Sequence, residues 1–215
     1  MKQSQQSETK TRICKICFNP IEQNSFHSLL FKNVTICHNC LIKLQPVLQT
    51  FYVDGVECFF IYFYNEKVKE LLYQFKGCKD YELESIFLEY YLPYLNLKFK
   101  DYVMVPAPST KESDIERGFN HVEEIFKNLN LKMIKCVYKT KQVKQADLTT
   151  EERKKISQFL QMDDVDLSGK KILLVDDVYT TGSTIKAMIK LCKEKGAKTI
   201  KVLLMSKTID LEKRQ

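Results

Sequence analysis

The sequence predicts an α/β protein: a doubly wound, largely parallel sheet behind a small zinc-ribbon-like module. Three observations carry this. Short apolar runs at 57–63, 102–105, 171–175 and 199–205 alternate with segments of helical period. Two of the runs, Ile172-Leu-Leu-Val175 and Val202-Leu-Leu-Met205, are apolar on both faces, as strands covered by helices on each side must be. Near the start, four cysteines form two pairs of equal spacing, C-x2-C-x19-C-x2-C.

Composition narrows the function classes. A chain of 215 residues, 44% hydrophobic and 28% charged, holds one principal domain and at most a small satellite. Six glycines and five prolines exclude collagen-like and low-complexity chains. The longest apolar run, Cys58–Tyr64, falls far short of the roughly 20 residues of a membrane span. The first thirteen residues lack the apolar core of a secretory leader, so a cytoplasmic location is expected. Eight cysteines in a reducing compartment point to metal rather than to disulfides. The net charge of +7 fits nucleic acid, an anionic substrate, an anionic membrane surface or a plain lysine-rich face.

Residues 1–12 read as a flexible tail, 13–46 as a four-cysteine zinc-binding module and 50–210 as the main domain. In a C-x2-C turn both sulfurs reach one ion about 2.3 Å away, and two such turns complete a tetrahedron. Cys14, Cys17, Cys37 and Cys40 are thus candidate ligands of a structural Zn2+, with iron–sulfur ligation the weaker alternative. His38 reads as a solvated loop residue. Cys58, Cys78, Cys136 and Cys192 read as small buried hydrophobes.

The main domain begins with a strand at 57–63 and a helix at Glu66–Lys76, where Val68, Leu71, Leu72 and Phe75 make one apolar face. A helix at Leu83–Tyr91 precedes a strand at Tyr102–Val105, which Pro106-Ala-Pro108 stops. Asp114–Leu129 reads as helix, Lys132–Tyr138 as extended and Thr149–Leu160 as helix. A strand at Lys171–Val175, a helix at Ser183–Lys195 closed by Gly196, and a strand at Thr199–Met205 complete the series.

The segment Val175-Asp-Asp-Val-Tyr-Thr-Thr-Gly-Ser-Thr184 carries the chemistry. A buried strand delivers two adjacent carboxylates to its carboxyl end, where α/β folds bind ligands. Hydroxyls around one glycine then open a helix, whose first N–H groups form a cradle for a phosphate. A phosphate cradle beside carboxylates suited to a diol describes a sugar-phosphate site. The plain alternative is a capped turn with two solvated acids.

This segment resembles the phosphoribosyl-pyrophosphate (PRPP) signature of type I phosphoribosyltransferases. One subgroup, the ComF family of late competence proteins, is similar over almost the whole chain. The similarity takes in the CxxC pairs, Tyr64 with Lys69, Leu71, Leu72, Phe75 and Lys76, Val105-Pro-Ala-Pro-Ser109, Glu116-Arg-Gly-Phe-Asn120, and Gln145 with Leu148 and Arg153. It implies a type I phosphoribosyltransferase-like fold. It implies that Asp176 and Asp177 bind the ribose hydroxyls, and that Thr180, Thr181, Gly182, Ser183 and Thr184 hold the 5′-phosphate. Ala107, Pro108 and Ser109 match the pyrophosphate loop. Lys111 and Arg117 follow, in a segment that normally folds over the substrate, as catalytic cations for a leaving group whose charge grows as the C1–O bond breaks. Mg2+ would be held mainly by pyrophosphate and ribose oxygens.

The chain also departs from the pattern. Purine-salvage enzymes carry an acid where this chain has Thr180, which cannot shuttle a proton at neutral pH, so hypoxanthine or guanine salvage is not expected. The basic segment near 153–158 retains only Arg153 of its arginine and asparagine residues.

Between Lys127 and Lys144 lie six lysines, no carboxylate and one interleaved aromatic, Tyr138. Lys132, Lys135, Lys139, Lys141 and Lys144 are thus candidate contacts for single-stranded DNA; the alternative is a solvated edge strand. The resemblance implies a competence-type role in DNA uptake, with PRPP, single-stranded DNA or a competence helicase as partners and no membrane span. The alternative is an active phosphoribosyltransferase with an unidentified acceptor.

Overall fold

The computed structural model describes residues 11–21, 34–140 and 160–209. Helix α1 (His38–Lys43) starts from Cys37 and carries Cys40, and β1 (Pro46–Val53) and β2 (Val56–Phe63) form an antiparallel hairpin. Asp54 and Gly55 turn it with positive φ at both positions, the geometry that matches strand twist in a two-residue loop. Helix α2 (Glu66–Lys76) starts at Asn65, whose side chain accepts the Val68 N–H, and buries the four apolar residues of its expected face. A 3-10 helix (Tyr81–Phe87) and α3 (Leu92–Lys98) lead to β3 (Val103–Pro106). Next come α4 (Lys111–Arg117), α5 (His121–Phe126), β4 (Val137–Lys139) and β5 (Leu160–Met162). Finally β6 (Lys171–Tyr179), α6 (Ser183–Glu194) and β7 (Thr199–Lys207) complete the described chain.

Five strands form the main sheet in the order β1-β2-β7-β6-β3, all parallel except β1; β4 and β5 make a separate antiparallel pair. Alternate residues of β6 enter opposite faces. Leu173 and Val175 pack under α2, α3, α5 and the 3-10 helix, while Ile172 and Leu174 pack under α6. Both faces are therefore covered, as a doubly wound sheet requires. Cys14, Ile36, Cys40 and Leu44 of the cysteine module belong to the same apolar cluster as Ile86, Phe87 and Leu88.

Several elements differ from the sequence expectation. The helix expected at Leu83–Tyr91 is a 3-10 turn followed by α3, with Pro93 in the first turn of α3. The helix expected at Asp114–Leu129 is broken in two at Gly118, which adopts φ 89°, and restarts at Asn120, whose side chain accepts the Val122 and Glu123 N–H groups. Strand β6 runs on to Tyr179, so Asp176 and Asp177 lie within it. The helix expected at Thr149–Leu160 lies outside the described residues except for Leu160, which opens a strand. Cys78 is exposed rather than buried, because it follows α2 in a surface turn; Cys58, Cys136 and Cys192 are buried.

Candidate functional site

Parallel pairing brings the chemistry to one edge. Pro106 lies opposite Val175, and the Ala107 N–H donates to the Val175 carbonyl at 2.8 Å. The Ala107-Pro108-Ser109 loop and the acid pair therefore share the carboxyl edge of the sheet. Thr180 and Thr181 are exposed, and Ser183 and Thr184 are half-buried at the first turn of α6. The Thr181 and Ser183 hydroxyls are 3.0 Å apart. Gly182 holds φ 74°, and a Cβ there would fall 2.2 Å from the Tyr179 hydroxyl oxygen. The positive φ favours glycine there, and a Cβ would require the Tyr179 ring to move.

The two acids behave differently. Asp177 is 6% exposed and forms an ion pair with Lys76 at the end of α2. His121 Nε2 at the start of α5 lies 3.4 Å from the same oxygen, Oδ2. Arg117 Nη1 is 3.1 Å from His121 Nδ1 and 3.4 Å from Asp114 Oδ1, and Arg117 Nε donates to the Lys76 carbonyl at 3.3 Å. A guanidinium can only donate, so His121 Nδ1 accepts and its Nε2–H faces Asp177. The imidazole is neutral in this arrangement, and burial lowers its pKa. Burial alone would raise Asp177, yet Lys76 and His121 hold its carboxyl well below the usual range. Asp176 forms no ion pair among the described residues and is pushed up to about 8 by burial and by the charge of Asp177. Burial and the neighbouring charge thus push Asp176 up, while Lys76 and His121 pull Asp177 down.

The structure links Arg117 to the acid pair through His121 and Lys76. Among the described residues, no hydrogen bond or ion pair links Lys111 to this network; it is exposed in the first turn of α4. Lys139 is half-buried, on the opposite side of β4 from exposed Tyr138, whose hydroxyl bonds Gln161. Burial lowers its pKa against the pull of Asp176 and Asp177. Lys135 pairs with Glu123, and Lys132 is exposed. Lys141 and Lys144 lie outside the described residues. A cleft of about 630 Å³ opens beside the network, lined among others by Tyr64, Lys69, Tyr73, Lys76, Arg117 and Val178. Sequence reasoning missed Lys76 and His121 as site residues. Lys76 stood only among the residues that carry the resemblance, at the end of an amphipathic helix, and His121 directly after Glu116-Arg-Gly-Phe-Asn120.

At the front, the sulfurs of Cys14, Cys17, Cys37 and Cys40 all lie within 4.8 Å of one another. The Cys17 and Cys37 sulfurs are 3.8 Å apart, the edge of a tetrahedron with bonds of about 2.3 Å. The N–H groups of Ile16 and Cys37 point at the Cys14 sulfur, at 3.4 and 3.3 Å. The Cys17 thiol is brought down to about 7, chiefly by the Asn19 backbone. This donor set is compatible with structural zinc.

The acid pair and the turn into α6 share one sheet edge, and a family model for the phosphoribosyl transferase domain matches residues 116–214, which include both. The competence protein ComFC of Streptococcus pneumoniae is 29% identical over 195 residues, covering 87% of this chain and 83% of that relative. ComFC of Bacillus subtilis is 26% identical over 186 residues, covering 86% and 72%. Among solved structures, a hypoxanthine phosphoribosyltransferase from Staphylococcus aureus overlays with a TM-score of 0.37 at 12% identity, covering 60% of this chain and 75% of that one. The two ComFC relatives and the domain match together support a ComFC-like family. Among the described residues, no helix is long and apolar enough to cross a membrane.

Proposed function

We propose that this is a competence-type protein of DNA uptake whose phosphoribosyltransferase-like site binds PRPP. The observation that carries the reading is the acid pair and the open helix start at one sheet edge. Asp176 and Asp177 hydrogen-bond the vicinal hydroxyls of the ribose. The first N–H groups of α6, with Thr180, Thr181, Gly182, Ser183 and Thr184, take the 5′-phosphate. Ala107, Pro108 and Ser109 border the pyrophosphate, with Lys111 and Arg117 as its candidate cations. Mg2+ bound to pyrophosphate and ribose oxygens would supply further neutralisation. Calorimetry with PRPP and Mg2+ tests this: the wild type binds, and Asp176→Ala/Asp177→Ala does not. A wild type that fails to bind removes the reading.

Single-stranded DNA contact falls to Lys132 and Lys135, with Lys141 and Lys144 further along the chain, and a competence helicase is the natural protein partner of such a track. The cleft favours a second reading, active transfer, because it offers an acceptor room beside Val178 and Lys76. An acceptor lone pair would form a bond to C1 as the C1–O bond breaks, and pyrophosphate would leave with the bonding electrons. Pyrophosphate release with a panel of nucleobases separates enzyme from binding protein.

A further inference from the structure

The cysteine knuckle is braced against the 3-10 helix and the residues after it, which pack on the helices that hold Asp177. Glu89 accepts the Thr35 N–H at 2.9 Å, the Thr35 hydroxyl at 2.8 Å and the Ile36 N–H at 3.0 Å, just before Cys37. The Tyr90 hydroxyl donates to the Ile36 carbonyl at 2.6 Å. On the other arm, Lys15 pairs with Glu82 at 3.2 Å. These partners all lie in or just after the 3-10 helix. The same helix packs on α2 through Phe87 and Phe75, with ring centroids 5.9 Å apart. It is tied to α5 by the Tyr81 hydroxyl, which donates to Glu124 at 2.5 Å. Helix α2 delivers Lys76 to Asp177, and α5 delivers His121. A second strut runs through Asn65: its Oδ1 caps α2, and its Nδ2 donates at 3.2 Å to the Leu44 carbonyl, at the end of the helix that carries Cys40.

We propose that the knuckle is an effector site. A thiophilic divalent cation held by the four cysteines fixes the 3-10 helix and α1. Through them it sets how firmly Lys76 and His121 hold Asp177, and so the affinity for PRPP. This rests on the reading that the acid pair binds PRPP. Coupling between two ligand sites is reciprocal, so PRPP must tighten the metal by the same factor as the metal tightens PRPP.

The test uses the full chain. PRPP with Mg2+ is titrated into zinc-loaded and zinc-stripped protein, and zinc affinity is measured by chelator competition with and without saturating PRPP. We expect PRPP to bind about tenfold more weakly to the stripped chain, and zinc to bind tighter by the same factor when PRPP is present. In the zinc-loaded state, Glu89→Gln and Asn65→Ala should keep one zinc per chain yet weaken PRPP, which reads the coupling even where the stripped chain unfolds. Unchanged PRPP affinity in both variants, or zinc affinity indifferent to PRPP, overturns the proposal. Failure of the loaded wild type to bind PRPP overturns the underlying reading instead.

Discussion

Asp177 is a buried carboxylate with two partners from two helices, so removing one leaves a charge short of compensation. Lys76→Ala should lower stability by about 2 kcal/mol, less than for a fully buried pair because Lys76 is partly solvated, and should weaken PRPP as Asp177 loses its hold. Denaturant unfolding and calorimetry read the two effects. Asp176 gives a pH signature. Folding raises its pKa, so the folded chain keeps a proton that the unfolded chain releases near pH 4. Its contribution to stability is therefore full below about pH 4 and is lost as pH rises through about 8. Asp176→Asn should flatten the fall of stability across that window, measured as midpoint against pH. The carboxylates themselves were legible because strand, acids, glycine and helix start are adjacent in sequence. Lys76 and His121 were not, since each reaches Asp177 only after a separate helix has packed on the sheet.

Elements were legible where one period ran unbroken. The apolar face of α2 and the two-faced cores of β6 and β7 stand as expected. Strand β1 was hidden because Gln49, Thr50 and Tyr52 are exposed on an edge, leaving no clean alternation. The break at Gly118 was hidden because helical residues flank it on both sides. The turn from β6 into α6 allows a sharper test. Gly182→Ala adds strain at positive φ and a collision with Tyr179, so it should lower stability by roughly 1–3 kcal/mol and abolish PRPP binding. Retained PRPP affinity in a folded Gly182→Ala would show that the turn is not the phosphate cradle.

For the whole molecule, the shared cluster that runs from Cys14 and Cys40 to Phe87 predicts one cooperative unit. Cys14→Ser/Cys17→Ser should release zinc and shift a single thermal transition downward, rather than melting a front module alone; calorimetric scanning distinguishes the outcomes. The net charge of +7 was visible from the start, but its division was not. Lys139 is half-buried and Lys135 is paired with Glu123, whereas Lys132 faces solvent. Affinity for single-stranded DNA should fall linearly with salt on logarithmic axes, and neutralising Lys132, Lys141 and Lys144 together should lower that slope by about two.

The position of β7 also has a consequence for synthesis. It lies between β2 and β6, and Phe59 pairs with Leu203 across most of the chain. While the chain emerges from the ribosome, β2 and β6 expose apolar faces and unpaired edges until that late strand slots between them. Closure should be slow, as it is for sheets built from distant pairings, and a holding chaperone would have its longest opportunity in that interval.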